Sequence, residues 1–352
     1  MMPKNRTFII SRSDSIGDVV LCLPVAGVLR SLFPSSRIIF LGRTYTQAVV
    51  QASEYVDAFL NWDELQQLPM AERVRQLRDT GADTILHVLP DPEIAKTAKQ
   101  AGIQRRIGTR NRLYHWIYCN VLVKLSRRHS PYHEAQLNLQ LLKPLGGKLL
   151  YTPEEISSFY GLTRLSPLPP DITALLDPGK FNLILHPKSR GNGREWGLDN
   201  FMQLVELLPR DQYKIFVTGT PAEEKFIHPL LQQYPFVTDM TGRLSLPQFI
   251  SFIAAADGLV ASGTGPIHLA AALGINALGM YPPIRPVHAG RWAPIGPKAV
   301  AFVLDKDCDD CRKTKDCVCM RAITPARVKA YLQSIDKDQV STLQGAMNTI
   351  KL

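Results

Sequence analysis

Neither of the two common phosphate loops is present in this chain. There is no glycine loop ending in Gly-Lys-Ser/Thr and no clean Gly-x-Gly-x-x-Gly after the first predicted strand, so ATP hydrolysis and simple dinucleotide redox chemistry lose ground. Long apolar runs are missing too. The longest stretch, 19–29, is broken by Pro24 and Gly27 and is too short to cross a bilayer. Near the N-terminus the run Phe8-Ile9-Ile10 stops at Ser11-Arg12 before a secretory segment develops, so a cytoplasmic protein is expected. Acids are in short supply, with 31 Asp and Glu against 41 Lys and Arg, and the net charge of +10 points to an anionic partner. From Arg105 to His129 seven cations stand with no acid, among Tyr114, Trp116 and Tyr118. That stretch reads either as an anion-binding patch or as the solvated face of an ordinary element. Cysteine is scarce except near the C-terminus, where Cys308, Cys311, Cys317 and Cys319 lie within twelve residues.

What is present reads as an α/β protein. At 352 residues, with 45% hydrophobic side chains, the chain is long enough for two cores. Short apolar strands are predicted at 7–11, 37–41 and 84–89, and a second set at 183–185, 214–217 and 258–261. Helices such as 198–208 and 247–256 separate them, which is the pattern of parallel sheets. Between the sets lies Ser166-Pro167-Leu168-Pro169-Pro170-Asp171, which continues neither helix nor strand and reads as a linker. Two doubly wound domains joined this way make a cleft, and such sheets bind ligands beyond the carboxyl ends of their strands.

The most informative segment is Val260-Ala261-Ser262-Gly263-Thr264-Gly265-Pro266-Ile267-His268, running on to Gly274. It reads as a buried strand, a small-residue turn and a helix opened by Pro266 and closed at Gly274. The unpaired N–H groups of such a helix face the turn, where two glycines admit a diphosphate closely. Many α/β proteins carry a turn of this composition and bind nothing there, so the neighbouring strand ends matter. After the first strand comes Arg12-Ser13-Asp14-Ser15-Ile16-Gly17-Asp18, whose last residue is either a helix-dipole partner or a catalytic acid. After residue 185 comes His186-Pro187-Lys188-Ser189-Arg190-Gly191-Asn192-Gly193-Arg194-Glu195-Trp196, dense in cations and glycine and suited to phosphate. After residue 217, Glu223 either binds ribose hydroxyls or starts a helix.

In this order the pieces resemble glycosyltransferase family nine, the ADP-heptose:lipopolysaccharide heptosyltransferases. The likeness covers nearly the whole chain: Ser15-Ile16-Gly17-Asp18-Val19-Val20 with Pro24 and Phe33-Pro34; Arg106-Ile107-Gly108; His133 with Asn138-Leu139-Gln140-Leu141-Leu142 and Gly146; His186-Pro187 with Arg194-Glu195-Trp196; Gly219 with Glu223; Thr241-Gly242 with Ser245-Leu246; and Gly265 to Gly274. The resemblance implies a GT-B architecture of two Rossmann-like domains facing across a cleft. Residues 1–165 would take the acceptor and 172–325 the nucleotide sugar, with 326–352 a helical tail packing back on the first domain.

It further implies that Asp18 is the general base of an inverting transfer. Lys188, Ser189, Arg194, Thr264, Gly265 and Pro266 would hold the donor diphosphate, and Gly219 and Glu223 the nucleotide ribose. Ser262, Gly263 and His268 would line the donor sugar, although His268 also reads as a partner within its own helix and turn. Arg105, Arg106, Arg110 and Arg112 would hold an anionic glycolipid acceptor at the inner face of the cytoplasmic membrane. ADP-heptose is the favoured donor; no cofactor is expected for catalysis, and nucleic acid is not expected as a partner. In one respect the chain departs from the family: where relatives often carry an aspartate before the Thr/Ser-Gly pair, Gly263 stands here, which leaves the sugar open. The four clustered cysteines read as a structural zinc site, disulfides or plain thiols. A family transferase using another nucleotide sugar, a sugar-nucleotide 2-epimerase of the same shape and a non-catalytic anion binder are the alternatives.

Overall fold

Near-continuous apolar strands signal a sheet covered on both faces, and the middle strands here are buried along all or nearly all of their length. In the computed structural model, which describes residues 6–127, 130–189, 193–306, 308, 316–335 and 347–351, the chain forms two compact units, 1–164 and 165–352. The first contains β1 (Thr7–Ser11), β2 (Arg37–Gly42), β3 (Ala58–Asn61), β4 (Thr84–His87), β5 (Arg105–Thr109) and β6 (Val121–Val123). The second contains β7 (Phe181–His186), β8 (Tyr213–Val217), β9 (Thr238–Asp239), β10 (Gly258–Ser262), β11 (Asn276–Tyr281), β12 (Ala299–Val303) and β13 (Asn348–Lys351). Every strand pairing is parallel.

The strand orders are β3-β2-β1-β4-β5-β6 and β13-β12-β11-β10-β7-β8-β9. In each sheet the chain winds outward from its first strand, then crosses back and winds the other way. The reversal falls between β1 and β4 in one sheet and between β7 and β10 in the other. Loops leaving neighbouring strands diverge at such a point and open a crevice. The turn after β1 and the turns after β7 and β10 are therefore the fold's natural ligand positions.

Strands β1, β2, β4, β7, β8 and β10 fall where the sequence pattern puts them. The stretch expected as a basic patch is partly strand: β5 and β6 flank the short helix Leu113–Tyr118. The tail expected to return to the first domain is instead built into the second unit. Val328 and Leu332 of its helix Pro325–Ser334 join the apolar core around Trp196 and Phe201, and β13 pairs with β12. Burial of that apolar stripe outweighs the tail's polar composition.

Candidate active site

Strand β1 ends at Ser11 and Arg12 follows it, and both polar side chains stay buried. Arg12 keeps its backbone in the ladder, donating from its N–H to Leu41 O at 3.0 Å. Its guanidinium, 3% exposed, donates to Asp14 at 2.8 Å, to Asp18 Oδ1 at 2.5 Å, to Glu134 Oε1 at 3.2 Å and to Asn138 Oδ1 at 3.0 Å. Glu134, 1% exposed, also accepts from Arg127 Nε at 2.9 Å. Arg127 in turn donates to Asn138 Oδ1 and to Val88 O, each at 3.0 Å. Two arginines thus share one sealed carboxylate and one amide, so no buried charge is left unpaired.

Asp18 lies in the first turn of the helix Ile16–Val20, and the Ser15 hydroxyl donates to its Oδ2 at 2.5 Å. Its side chain is 20% exposed. Burial raises the carboxyl's proton affinity above the ordinary aspartate range, and the Arg12 charge opposes that rise without cancelling it. Arg12 itself is held protonated, because the attraction of three carboxylates outweighs its own burial. The result is a fixed carboxylate more basic than usual, which suits proton abstraction.

In the second unit three loops leave adjacent strands. At the end of β7, His186 shares a hydrogen bond with Thr218 Oγ1 at 2.9 Å. Burial pulls its pKa down to about 4, against the pull of Glu223. In the loop that follows, Lys188 Nζ meets Glu195 at 2.6 Å, and Ser189 donates its backbone N–H to the same carboxylate at 3.0 Å. The Lys188 charge is therefore partly neutralised before any ligand arrives. Trp196 N donates to Ser262 Oγ at 3.0 Å, so Ser262, expected at the donor sugar, braces the β7 loop from the interior.

After β8, Glu223 accepts the Thr220 N–H at 2.7 Å in a capping box. Of its two readings from sequence, helix initiation is the one the geometry displays. Gly219 packs so tightly that a Cβ there would lie 2.6 Å from Ile227.

After β10, Thr264 precedes the helix Gly265–Ala272, which has Pro266 in its first turn. The Thr264 hydroxyl makes no capping bond, although threonine is a favoured cap. Thr264 Oγ1 and Tyr281 Oη are buried without a hydrogen-bond partner among the described residues. Buried hydroxyls left in that state mark a place where a ligand or water completes the set. Gly263 is required by space: a Cβ there would sit 2.8 Å from the Tyr281 ring. On its other side, a Cβ on Gly193 of the β7 loop would lie 2.9 Å from Gly263 O, so the two loops meet backbone to backbone. His268 is 5% exposed, on the first turns of that helix.

Other expected positions separate. Arg105 and Arg106 begin β5, at the amino edge of the first sheet, away from Asp18, which follows the carboxyl end of β1. Arg106 is spent on the carbonyls of Tyr118, at 2.7 Å, and of Ile103. Arg110 and Arg112 follow β5 at the carboxyl edge and are exposed. For the cysteines, Cys317 and Cys319 are buried in the second core with Cys308 packed against it, while Cys311 lies outside the described residues. Among the described residues no three His, Cys, Asp or Glu side chains are grouped to hold a metal. Sequence reasoning missed Glu134 and the Arg12–Arg127 pairing. The available signal was an arginine closing a buried strand, which requires a buried counter-charge.

Two Rossmann-wound parallel sheets, each with its polar turns beyond the carboxyl ends at the switch point, have the architecture of the GT-B class of glycosyltransferase. The profile described as "Glycosyltransferase family 9 (heptosyltransferase)" matches residues 74–320, well over half of the chain. The protein belongs to that family. It is 23% identical over 308 residues to a provisionally named glycosyltransferase of Haemophilus influenzae, spanning 84% of this chain and 88% of that one. Among solved structures it is similar to a family 9 glycosyltransferase from Veillonella parvula, with TM-score 0.73 and 16% identity, covering 95% of this chain and 97% of that one. It is also similar to the E. coli ADP-heptose LPS heptosyltransferase II, with TM-score 0.72 and 18% identity, covering 93% and 97%. For the E. coli heptosyltransferase WaaC with ADP the TM-score is 0.67 and the identity 17%, covering 93% and 99%. At these identities the structural likeness speaks for the fold.

Proposed function

We propose that the protein is an inverting glycosyltransferase that moves heptose, or a related sugar, from an ADP-activated donor to the inner core of lipopolysaccharide. In this reading an acceptor hydroxyl attacks the anomeric carbon and gives its proton to Asp18. The bond from that carbon to the diphosphate breaks on the opposite face, and ADP departs with the electron pair. The observation that carries the reading is Asp18 itself: a largely buried carboxylate of raised proton affinity, held by Arg12 and Ser15 at a switch point. Lys188, Ser189 and Arg194, with the N–H groups of Thr264 and Gly265 ahead of Pro266, would meet the charge that grows on the leaving diphosphate, so no metal is called for. Gly219 and the free edge of Glu223 would take the ribose, with Gly263 and His268 along the sugar. The solved structures of E. coli heptosyltransferase WaaC with ADP and with ADP-2-deoxy-2-fluoro heptose favour an ADP sugar.

The acceptor would be an anionic glycolipid met at the cytoplasmic face of the inner membrane by peripheral contact. Among the described residues no helix is long and apolar enough to cross a membrane. A thermal-shift panel of ADP-, UDP- and GDP-sugars tests the donor, because only a ligand preferring the folded state raises the melting point. A shift with UDP- or GDP-sugars and none with ADP-heptose would sink it. A second reading, family chemistry on a different sugar, is favoured by Gly263: the Tyr281 ring fills the space an acid would need there.

A further inference from the structure

We infer that the helix Leu113–Tyr118, with the cations around it, is a docking surface for an anionic phospholipid bilayer. The inference deepens the reading of a membrane-borne acceptor and rests on it for its purpose. Leu113, Ile117 and Trp116 are 88%, 60% and 56% exposed. They stand at positions i, i+4 and i+3 and so share one face of the helix. Single exposed apolar residues are ordinary, whereas three large ones side by side mark an interaction surface.

The helix that presents them is pinned at every side. Inward, His115 is fully buried and accepts the Thr109 N–H at Nδ1, at 2.9 Å. The Trp116 indole donates to Arg110 O at 3.0 Å, Lys99 Nζ to Ile117 O at 3.0 Å, and Arg106 Nε to Tyr118 O at 2.7 Å. A braced helix holding apolar groups in water is a built feature, because its side chains lose little further freedom when they are buried.

Charge selects the occupant. Arg110, Arg112 and Lys99 are exposed around the triad, and the Arg110 guanidinium lies 5.7 Å from the centre of the Trp116 ring. No acid occurs between Arg105 and His129. The acids at the start of the preceding helix, Pro92–Gln100, are committed: its cap Asp91 to the N–H groups of Glu93 and Ile94, and Glu93 to Arg73 at 3.5 Å. A stable protein interface needs about 800 Å² per partner, more than a six-residue helix supplies. A twofold dimer through this face would also set the arginines against their own copies. A bilayer supplies both an apolar layer and anionic headgroups, and binds such a helix reversibly in its interface, with arginines reaching up to phosphates.

The test is sedimentation of the full chain with vesicles of phosphatidylcholine, alone or mixed with phosphatidylglycerol. The protein should partition onto the mixed vesicles. The triple variant Leu113→Ser, Trp116→Ser, Ile117→Ser should lose about tenfold or more in partition coefficient. Arg110→Glu with Arg112→Glu should lose the preference for phosphatidylglycerol. Trp116→Phe should still bind but lose most of the fluorescence blue shift seen on adding vesicles, since Trp62 and Trp196 are already buried and Trp292 is half-buried in the second unit. No partition at low salt, or equal binding by the triple variant, would overturn the inference. So would a triple variant that turns a dimer into a monomer in sedimentation velocity while still binding vesicles. ADP-induced thermal shifts on the same samples report folding and the donor site. The vesicles carry neither donor nor acceptor, so either reading can fail without the other.

Discussion

The loops after β1 and β7 hold equivalent places in two sheets wound the same way, yet they are built on opposite plans. After β1 every charged group has its partner: Arg12 joins Asp14, Asp18 and Glu134, and Arg127 closes the ring. After β7 and β10 the backbone is stripped to glycine where the loops touch, and the hydroxyls of Thr264 and of Tyr281 at the end of β11, like that of Ser11 in the first unit, have no hydrogen-bond partner among the described residues. On the proposed reading the contrast has a purpose: a base held still and kept basic calls for charges paired before substrate arrives, whereas a site for a departing diphosphate keeps donors in reserve until charge appears.

Several measurements would break this contrast or narrow its meaning. Asp18→Ala should lower kcat by about 10² to 10⁴, the usual worth of a general base, with ADP affinity nearly unchanged. Steady-state kinetics beside ADP titration decide it, and full activity would remove Asp18 from the chemistry. Glu134→Ala removes the buried carboxylate that Arg12 and Arg127 share, and should cost about 3 kcal/mol in urea unfolding, the low end for a broken buried pair because Arg12 keeps Asp14 and Asp18. Glu134→Gln, which keeps the acceptor oxygen, should cost clearly less. Equal losses from the two would mean that shape, not charge, matters at this position.

Arg194→Ala should weaken ADP binding by roughly 1.5–3 kcal/mol while sparing the fold, as read by calorimetry. Only the ionised carboxylate of Asp18 accepts a proton, so activity should fall as pH drops through its raised pKa, with a midpoint above about 3.9. Arg12 lowers that pKa, so Arg12→Met should move the acid limb further up. A limb at the ordinary aspartate value would contradict the burial described. The smallest effect is expected from Gly263→Ala, whose Cβ would press on Tyr281. A loss of about 1–3 kcal/mol in stability is typical of such overpacking.

Much of this was legible in the sequence. Strand pattern alone separated two sheets, because the central strands are apolar on both faces. By its place after a strand Asp18 read as a helix-dipole partner as readily as a base, and the family resemblance singled it out; the turn after β10 was marked by its glycines. Glu134 did not stand out, because a carboxylate in a polar stretch looks solvated until its two arginines arrive from 122 and 7 residues away. Strand β5 was hidden by its two leading arginines, of which Arg106 turns back onto carbonyls, and β6 by its length of three residues. The tail misled for the opposite reason: its apolar stripe is narrow, and only a waiting groove shows where it belongs.

The near-touching backbones at Gly193 and Gly263 bear on any attempt to re-engineer this enzyme. The loop after β7 and the turn after β10, proposed to meet phosphate and sugar, lean on one another there without intervening side chains. A loop exchange with a relative would have to carry both pieces together, so that any change of sugar selectivity would come with a matched pair.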